Sequence, residues 1–452
     1  MTWRGASVPI AVGGGSARRW VTSRICNNLA GVNDVRWKKV CEAAFGVHGA
    51  RVRDIWFEGT AVVLAVEPRA RFRQRCPECG FRCPGYDQGS GPRLWRAMAF
   101  GTFDVLVQAP APRVECKRHG VVVASVPWAR HRSGFTRDFE DQVAWLTQFL
   151  PKSRVVEFFH IDWATVGAIL HRVVQERLVV TRPLDGLRRI GIDEVSFRKG
   201  HKYLTVVYDH DTGRLVWAAE GRDSETLGRF FDELGPRRAN ALTHVSADAA
   251  SWISSVVRKR AKQAVLCIDP FHVVAWANEA LDEVRRGVWN AARREGSREE
   301  ATSLKGMRYV VVKNPENLSE SQARKLSVLE RLNRPLYRAY LLKEALRQVF
   351  ALKSLEGAKM LEGWRKWAQR SRLKPFVKLG RRIARHMDGI KATLEHRLTQ
   401  GLTESNNKEV GLLNRIAHGF HSAAPLIALM FLKLGKLGIR LPSTPISTHC
   451  LP

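Results

Sequence analysis

Between residues 188 and 269 the apolar and polar positions change period in an orderly way. In RRIGIDEVSFRKGHKYLTVVYD, residues 188 to 209, an apolar strand ends at Asp193. A turn through Lys199, Gly200 and His201 leads into LTVVY, which is apolar on both faces as in a buried sheet. The turn Asp211-Thr212-Gly213 precedes a third strand, RLVWAAE. The period then lengthens to predict a helix over roughly Ser224 to Leu234. A short strand, LTHVSAD, ends at Asp248, and the helix SWISSVVRK leads to a last strand, AVLCID.

The order β-β-β-α-β-α-β is that of a ribonuclease-H-like core, an α/β arrangement that sets the ends of its first and fourth strands side by side. Upstream, RVRDIWFEGTAVVLAV and TFDVLVQ alternate in strand fashion and predict a small β-rich domain over 45–130. Three short helices follow in 131–182. Thr136 can cap the first, over roughly Arg137 to Leu150, and Ser153 the second, through Phe159. Asp162 can cap a third, with Val166, Ile169, Leu170, Val173 and Val174 on one face. That pattern fits a helix-turn-helix, with Thr165 and Arg172 as exposed DNA-contacting candidates on the third helix; an inert three-helix domain has the same pattern. The predicted core covers 183–284 and 401–436, interrupted by a helical insertion over 285–400. Residues 1–44 read as a flexible extension and 437–452 as a tail.

Charge changes the picture. The 452 residues carry 74 Lys and Arg against 43 Asp and Glu, a formal +31. Residues 285–400 alone hold 28 basic against 11 acidic residues, a net +17. ERLNRPLYRAYLLKEALRQVF (330–350) and GWRKWAQRSRLKPFVKLGRRIARH (363–386) mix these with aromatics, including Trp364, Trp367 and Phe376. Such helices neutralise phosphates and release counterions, which gives DNA affinity without sequence preference. There is neither a membrane-length apolar run nor a secretory pattern at the start, so a cytoplasmic, nucleoid-associated protein is expected.

In so basic a chain, acids at strand edges point to metal-bound phosphate chemistry. Two Mg²⁺ ions about 3.5 to 4 Å apart, held by carboxylates, can activate an attacking oxygen and stabilise a leaving one at phosphorus. Asp193 and Asp248 end their strands, and Glu404 falls in the first turn of a late helix that Thr403 can cap. Val410, Leu413, Ile416, Ala417 and Phe420 give that helix an apolar face. An Asp at a strand end also serves as a turn or cap residue, so strand order alone leaves the shared site open. Cysteine spacing adds a second centre. Cys76 and Cys79 in RCPECG, with Cys116 and His119 in VECKRHG, form two pairs that suit a tetrahedral structural Zn²⁺, and Cys83 is close enough to replace one ligand.

GIDEVSFRKGHKY (191–203), the VSAD segment ending at Asp248, IDPFHVV (268–274), LDEVRR (281–286) and GLTESNNKEVGLLNRIAHGF (401–420) resemble the DDE-type insertion-sequence transposases called the ISL-three family. Order and spacing agree from about residue 45 to residue 435. The resemblance implies Asp193, Asp248 and Glu404 as successive metal ligands. It also implies His272 as a phosphate or DNA contact, with Asp269 as a supporting residue or a substitute for Asp248. The family's zinc finger commonly has four Cys, so His119 is a departure. The implied function is binding of the element's terminal inverted repeats, Mg²⁺-dependent cleavage, and joining of the 3′-hydroxyl to target double-stranded DNA by a homo-oligomer. A ribonuclease-H-like nuclease without joining, or a transposase-derived DNA-binding regulator, are the other readings.

Overall fold

The computed structural model describes residues 34–441 apart from 297, 353, 399, 400 and 440. Residues 1–33 of the expected extension and 442–452 of the expected tail lie outside the described residues. The chain divides into two compact units, one of residues 34–147 with 152–175 and one of 148–151 with 176–438.

The first unit opens with α1 (Asp34–Ala44), within the segment expected to be an extension. It continues through β1 (Ala50–Glu58), β2 (Ala61–Pro68), β3 (Gly85–Asp87), β4 (Pro92–Arg96), β5 (Asp104–Pro110), β6 (Arg113–Cys116) and β7 (Gly120–Val123). The strands form a four-stranded sheet in the order β1-β2-β5-β4 and a small sheet β3-β6-β7. Alternate positions of the larger sheet, Val52, Leu64, Val66, Val105 and Val107, are buried with Trp95 and Trp128; each such side chain contributes about 1.5–3 kcal/mol.

Three helices follow: α2 (Arg137–Leu146), α3 (Lys152–Phe159) and α4 (Trp163–Thr181). Thr136 caps α2 as predicted, its hydroxyl accepting from Phe139 N–H at 3.4 Å. The helix stops at Leu146, short of the predicted end, and α3 starts at Lys152, so Ser153 lies inside it and is not its cap. The predicted face of α4 is the observed one, with Val166, Ile169, Leu170, Val173 and Val174 buried. Thr165 is half-buried near the helix start.

Arg172 departs from expectation. Its guanidinium donates to Glu140 Oε1 at 2.8 Å from Nε, and the side chain is only 20% exposed. Glu140 is wholly buried and also takes Arg130 at 3.2 Å and the Ser133 hydroxyl at 2.7 Å. A buried carboxylate must be satisfied locally, and Arg172 is one of the groups that satisfy it.

The second unit is built on β8 (Arg189–Arg198), β9 (Lys202–Asp209), β10 (Leu215–Glu220), α5 (Ser224–Ala239, broken at Gly235-Pro236), β11 (His244–Ala247), α6 (Ser251–Arg260) and β12 (Val265–Ile268). The sheet order is β10-β9-β8-β11-β12, the first three antiparallel and β8, β11 and β12 parallel. Ile190, Ile192, Val245 and Trp217 pack with Leu227, Phe230, Ile253 and Val257 of α5 and α6.

Next come α7 (Pro270–Arg294), α8 (Arg298–Gly306), α9 (Arg308–Val311), α10 (Glu320–Leu332), α11 (Arg334–Val349), α12 (Ser354–Arg370), α13 (Lys374–Arg385), α14 (Met387–His396), α15 (Gly401–Ile416) and α16 (Ala423–Leu434). Helix α7 runs through residue 285 without interruption. Trp364 and Phe376 belong to the core of this helical layer, and Trp364 Nε1 donates to the Leu342 carbonyl at 2.7 Å; Trp367 keeps 38% exposure. The layer returns to the sheet through α14, where the Thr393 hydroxyl donates to the carbonyl of Ile268 on edge strand β12 at 2.7 Å.

Helix α15 crosses β8 at Gly191. A Cβ there would lie 3.0 Å from both Thr403 Oγ1 and His210 Nε2, and 3.3 Å from Ser246 Oγ. The helix begins at Gly401, so the wholly buried Thr403 lies inside it, against Gly191, and is not its cap.

Two outcomes follow from this packing. Gly191→Ala is expected to lower unfolding stability by about 1–3 kcal/mol in denaturant titration, because three neighbours must give way. Arg172→Ala is expected to cost about 1–3 kcal/mol by the same measurement; unchanged stability would return Arg172 to the list of DNA contacts.

Candidate metal centres

The acidic site is set by strand register. Gly191, Ser246 and Cys267 lie abreast, as do Ile192, Ala247 and Ile268. The next residue after each of the last three is an aspartate, Asp193, Asp248 and Asp269, and the Asp269 N–H donates to the Ala247 carbonyl at 3.1 Å. Asp193 is not at the end of its own strand. β8 continues to Arg198 and pairs with β9 through Asp193 and Val206. What ends there is β11, at Ala247, which leaves one flank of β8 open.

Asp193 accepts the Glu194 N–H at 2.7 Å on Oδ1 and the Asn407 Nδ2 at 2.7 Å on Oδ2. Burial pushes its pKa up and the Asp248 charge adds to that, while the two donors and His272 pull it back. His272 stands between the other two acids, with Nδ1 3.4 Å from Asp248 and Nε2 3.8 Å from Asp269. Asp269 is 6% exposed and caps α7, accepting Phe271 N–H at 3.4 Å. Asp248 likewise accepts a backbone N–H, that of Ala249, at 2.5 Å on Oδ1, and its side chain is 25% exposed.

Glu404 is in the first turn of α15, about half exposed, with Lys408 Nζ at 3.3 Å. A cleft of about 340 Å³ is walled by Asp193, Asp269, His272 and Glu404, with Pro270, Phe271 and Gly401. Asp248 is not in the wall; His272, which touches it, is. The donors are mainly carboxylate oxygens, as hard divalent cations require. Among the described residues, no three acids bring ligand atoms within 4.8 Å of one another.

Sequence reasoning missed Asn407. The clue lay in its place on the helix stripe that carries Thr403, Val410 and Asn414, where an apolar residue is the usual choice.

The second centre is compact. Ligand atoms of Cys76, Cys79, Cys116 and His119 lie within 4.8 Å of one another. Cys76 Sγ is 3.4 Å and Cys116 Sγ 3.6 Å from His119 Nδ1, and Cys79 Sγ is 3.7 Å from Cys116 Sγ. A tetrahedral zinc with bonds of about 2.3 Å to sulfur and 2.0–2.1 Å to nitrogen has edges of about 3.8 and 3.6 Å, so the donor set fits. Gly80, at φ 72°, turns the knuckle, its N–H reaching the Cys76 carbonyl at 2.9 Å. Backbone N–H groups, Arg118's foremost, bring the Cys116 thiol down to about 6. Cys83 stands outside the group, its Sγ donating to the Phe81 carbonyl at 3.4 Å.

Comparison with known proteins identifies the family and a zinc finger over the segment that carries the second centre. Residues 190–430 match a transposase family model of the ISL3 group. Residues 124–174 match the helix-turn-helix domain of transposase family ISL3, and 73–119 the zinc-finger of transposase IS204/IS1001/IS1096/IS1165. The chain is 50% identical over 408 residues to the transposase for insertion sequence element IS1557 from two strains of Mycobacterium tuberculosis, covering 85% of this chain and 92% of that protein. It is 26% identical over 392 residues to the transposase for IS1001 of Bordetella parapertussis, covering 85% of this chain and 95% of the relative. Among the described residues no helix is long and apolar enough to cross a membrane.

Metal analysis of the purified chain is expected to find one zinc, lost in Cys116→Ser and retained in Cys83→Ser. Loss in the second variant would make Cys83 a ligand.

Proposed function

The chain belongs to the ISL3 family of insertion-sequence transposases, and on that premise we propose that its acidic cleft cuts DNA and joins the freed 3′-hydroxyl to a target phosphodiester. The sheet order and the helices on its two faces support a ribonuclease-H-like core over 183–284 and 401–436, with the basic helical layer inserted between. The observation that carries the reading is one cleft walled by both Asp193 and Glu404, with Asp248 directly following the residue that pairs with Ile192.

Asp193, Asp248 and Glu404 hold Mg²⁺ in this reading, and the metal supplies charge neutralisation at phosphorus and a more acidic attacking oxygen. Asp269 fixes the start of α7 and so places His272. The imidazole, on the cleft wall, takes a non-bridging phosphate oxygen or the neighbouring DNA backbone. Cutting uses water and joining uses a DNA hydroxyl; both are displacements at phosphorus, so one site serves both steps.

Recognition of the element's terminal inverted repeats falls to the amino-terminal unit. Cys76, Cys79, Cys116 and His119 hold a structural Zn²⁺ there, and α4 presents Thr165 to the DNA while Arg172 braces the domain from within. The net +17 of residues 285–400 holds phosphates of the end or target duplex without reading bases. Two ends must be joined together, so the working form is at least a dimer.

Labelled element ends incubated with Mg²⁺ and target DNA are expected to give joined product. Cleaved ends without joining would support a nuclease, and bound but intact DNA a regulator. Asp193→Asn is expected to abolish cutting and joining while sparing end binding in a gel-shift assay; persistent cutting would remove Asp193 from the ligand set.

A further inference from the structure

Helix α15 brings more than a carboxylate to the cleft. Three asparagines pin it to the sheet and to the turn between β9 and β10. Asn406 Nδ2 donates to the Gly213 carbonyl at 3.3 Å and Asn414 Nδ2 to the Phe197 carbonyl at 3.0 Å. Both of these end on backbone. Asn407 ends on the reactive group, donating from Nδ2 to Asp193 Oδ2 at 2.7 Å.

Behind it stands Tyr208 of β9, fully buried, whose hydroxyl donates to Asn407 Oδ1 at 3.3 Å. Burial, and then the Asp193 charge, raise the tyrosine's pKa, so it remains a phenol with one proton to give. A phenol donor selects the oxygen end of the amide and turns the NH₂ end to Asp193. With Glu194 N–H on Oδ1 at 2.7 Å, each carboxylate oxygen is held by one donor and keeps a lone pair. The plane of the carboxylate is thereby fixed by elements remote from one another in sequence.

We infer that Asn407 is the positioning residue that locks Asp193 in a metal-receptive orientation and, one helical turn from Glu404, sets the first and third acids in register. The inference rests on the acids being the metal ligands proposed above. The chemistry is that of an outer-shell amide. It touches no substrate, it orients an anionic ligand, and its loss weakens metal binding where a mere packing contact would not.

The test uses the full-length chain and Mn²⁺ as a probe for Mg²⁺, titrated calorimetrically without DNA. Asn407→Ala is expected to bind Mn²⁺ about tenfold more weakly, and Tyr208→Phe less strongly than wild type by a smaller factor. Asn414→Ala removes a comparable bond between the same helix and sheet. It should keep wild-type affinity, and all three variants should retain end binding. Equal Mn²⁺ affinity in wild type, Asn407→Ala and Tyr208→Phe overturns the inference. So does an equal loss in Asn407→Ala and Asn414→Ala, since that would mean helix docking alone. If Asp193→Asn leaves Mn²⁺ binding untouched, the metal assignment itself fails, an outcome separate from the first two.

Discussion

The constraint on which the second unit turns is the register of three parallel strands. Because β11 stops at Ala247 beside Ile192, and β12 at Ile268 beside Ala247, the residue that follows each of these three positions is an aspartate. The Asp248 charge acts against ionisation of Asp193, as neighbouring carboxylates do. Three acids in a half-buried setting need relief. The structure supplies part of it: Asp269 is given to the cap of α7, His272 lies between Asp248 and Asp269, and Asp193 is held by an amide and a backbone N–H. Divalent cations supply the rest in the proposed chemistry.

The packing around those acids serves their geometry. One face of the sheet is closed by α5 and α6 with large apolar side chains. The other receives α15, and there Gly191 and Thr403 allow an approach that no larger residue at 191 would permit without displacement. Close approach is what brings Glu404 to the cleft wall with Asp193. The helical layer is tied to the same region, since α14 bonds the outer carbonyl of β12 one residue before Asp269.

The amino-terminal unit meets a different problem. The small sheet β3-β6-β7 offers little apolar area around Val114, and the thiols and the imidazole gather there. In the proposed reading a zinc held by that cluster stands in for the missing core. Next to it, the helical segment satisfies the buried Glu140 with Arg130 and Arg172.

The sequence by itself determined the order and type of the elements, since hydrophobic period is local. It marked the apolar face of α4, the strand order of the sheet's segments and the two cysteine-bearing knuckles. Family resemblance in the quoted words named the acids. Only the tertiary structure decided what depends on residues remote in sequence. It decided that Asp193 sits mid-strand and is laid open by its neighbour's end, that Thr403 faces Gly191 and does not cap α15, and that Trp364 and Phe376 are core. It also joined Asn407 to Asp193, for register and side-chain hydrogen bonds are set by which strands and helices meet, and no local pattern encodes that meeting.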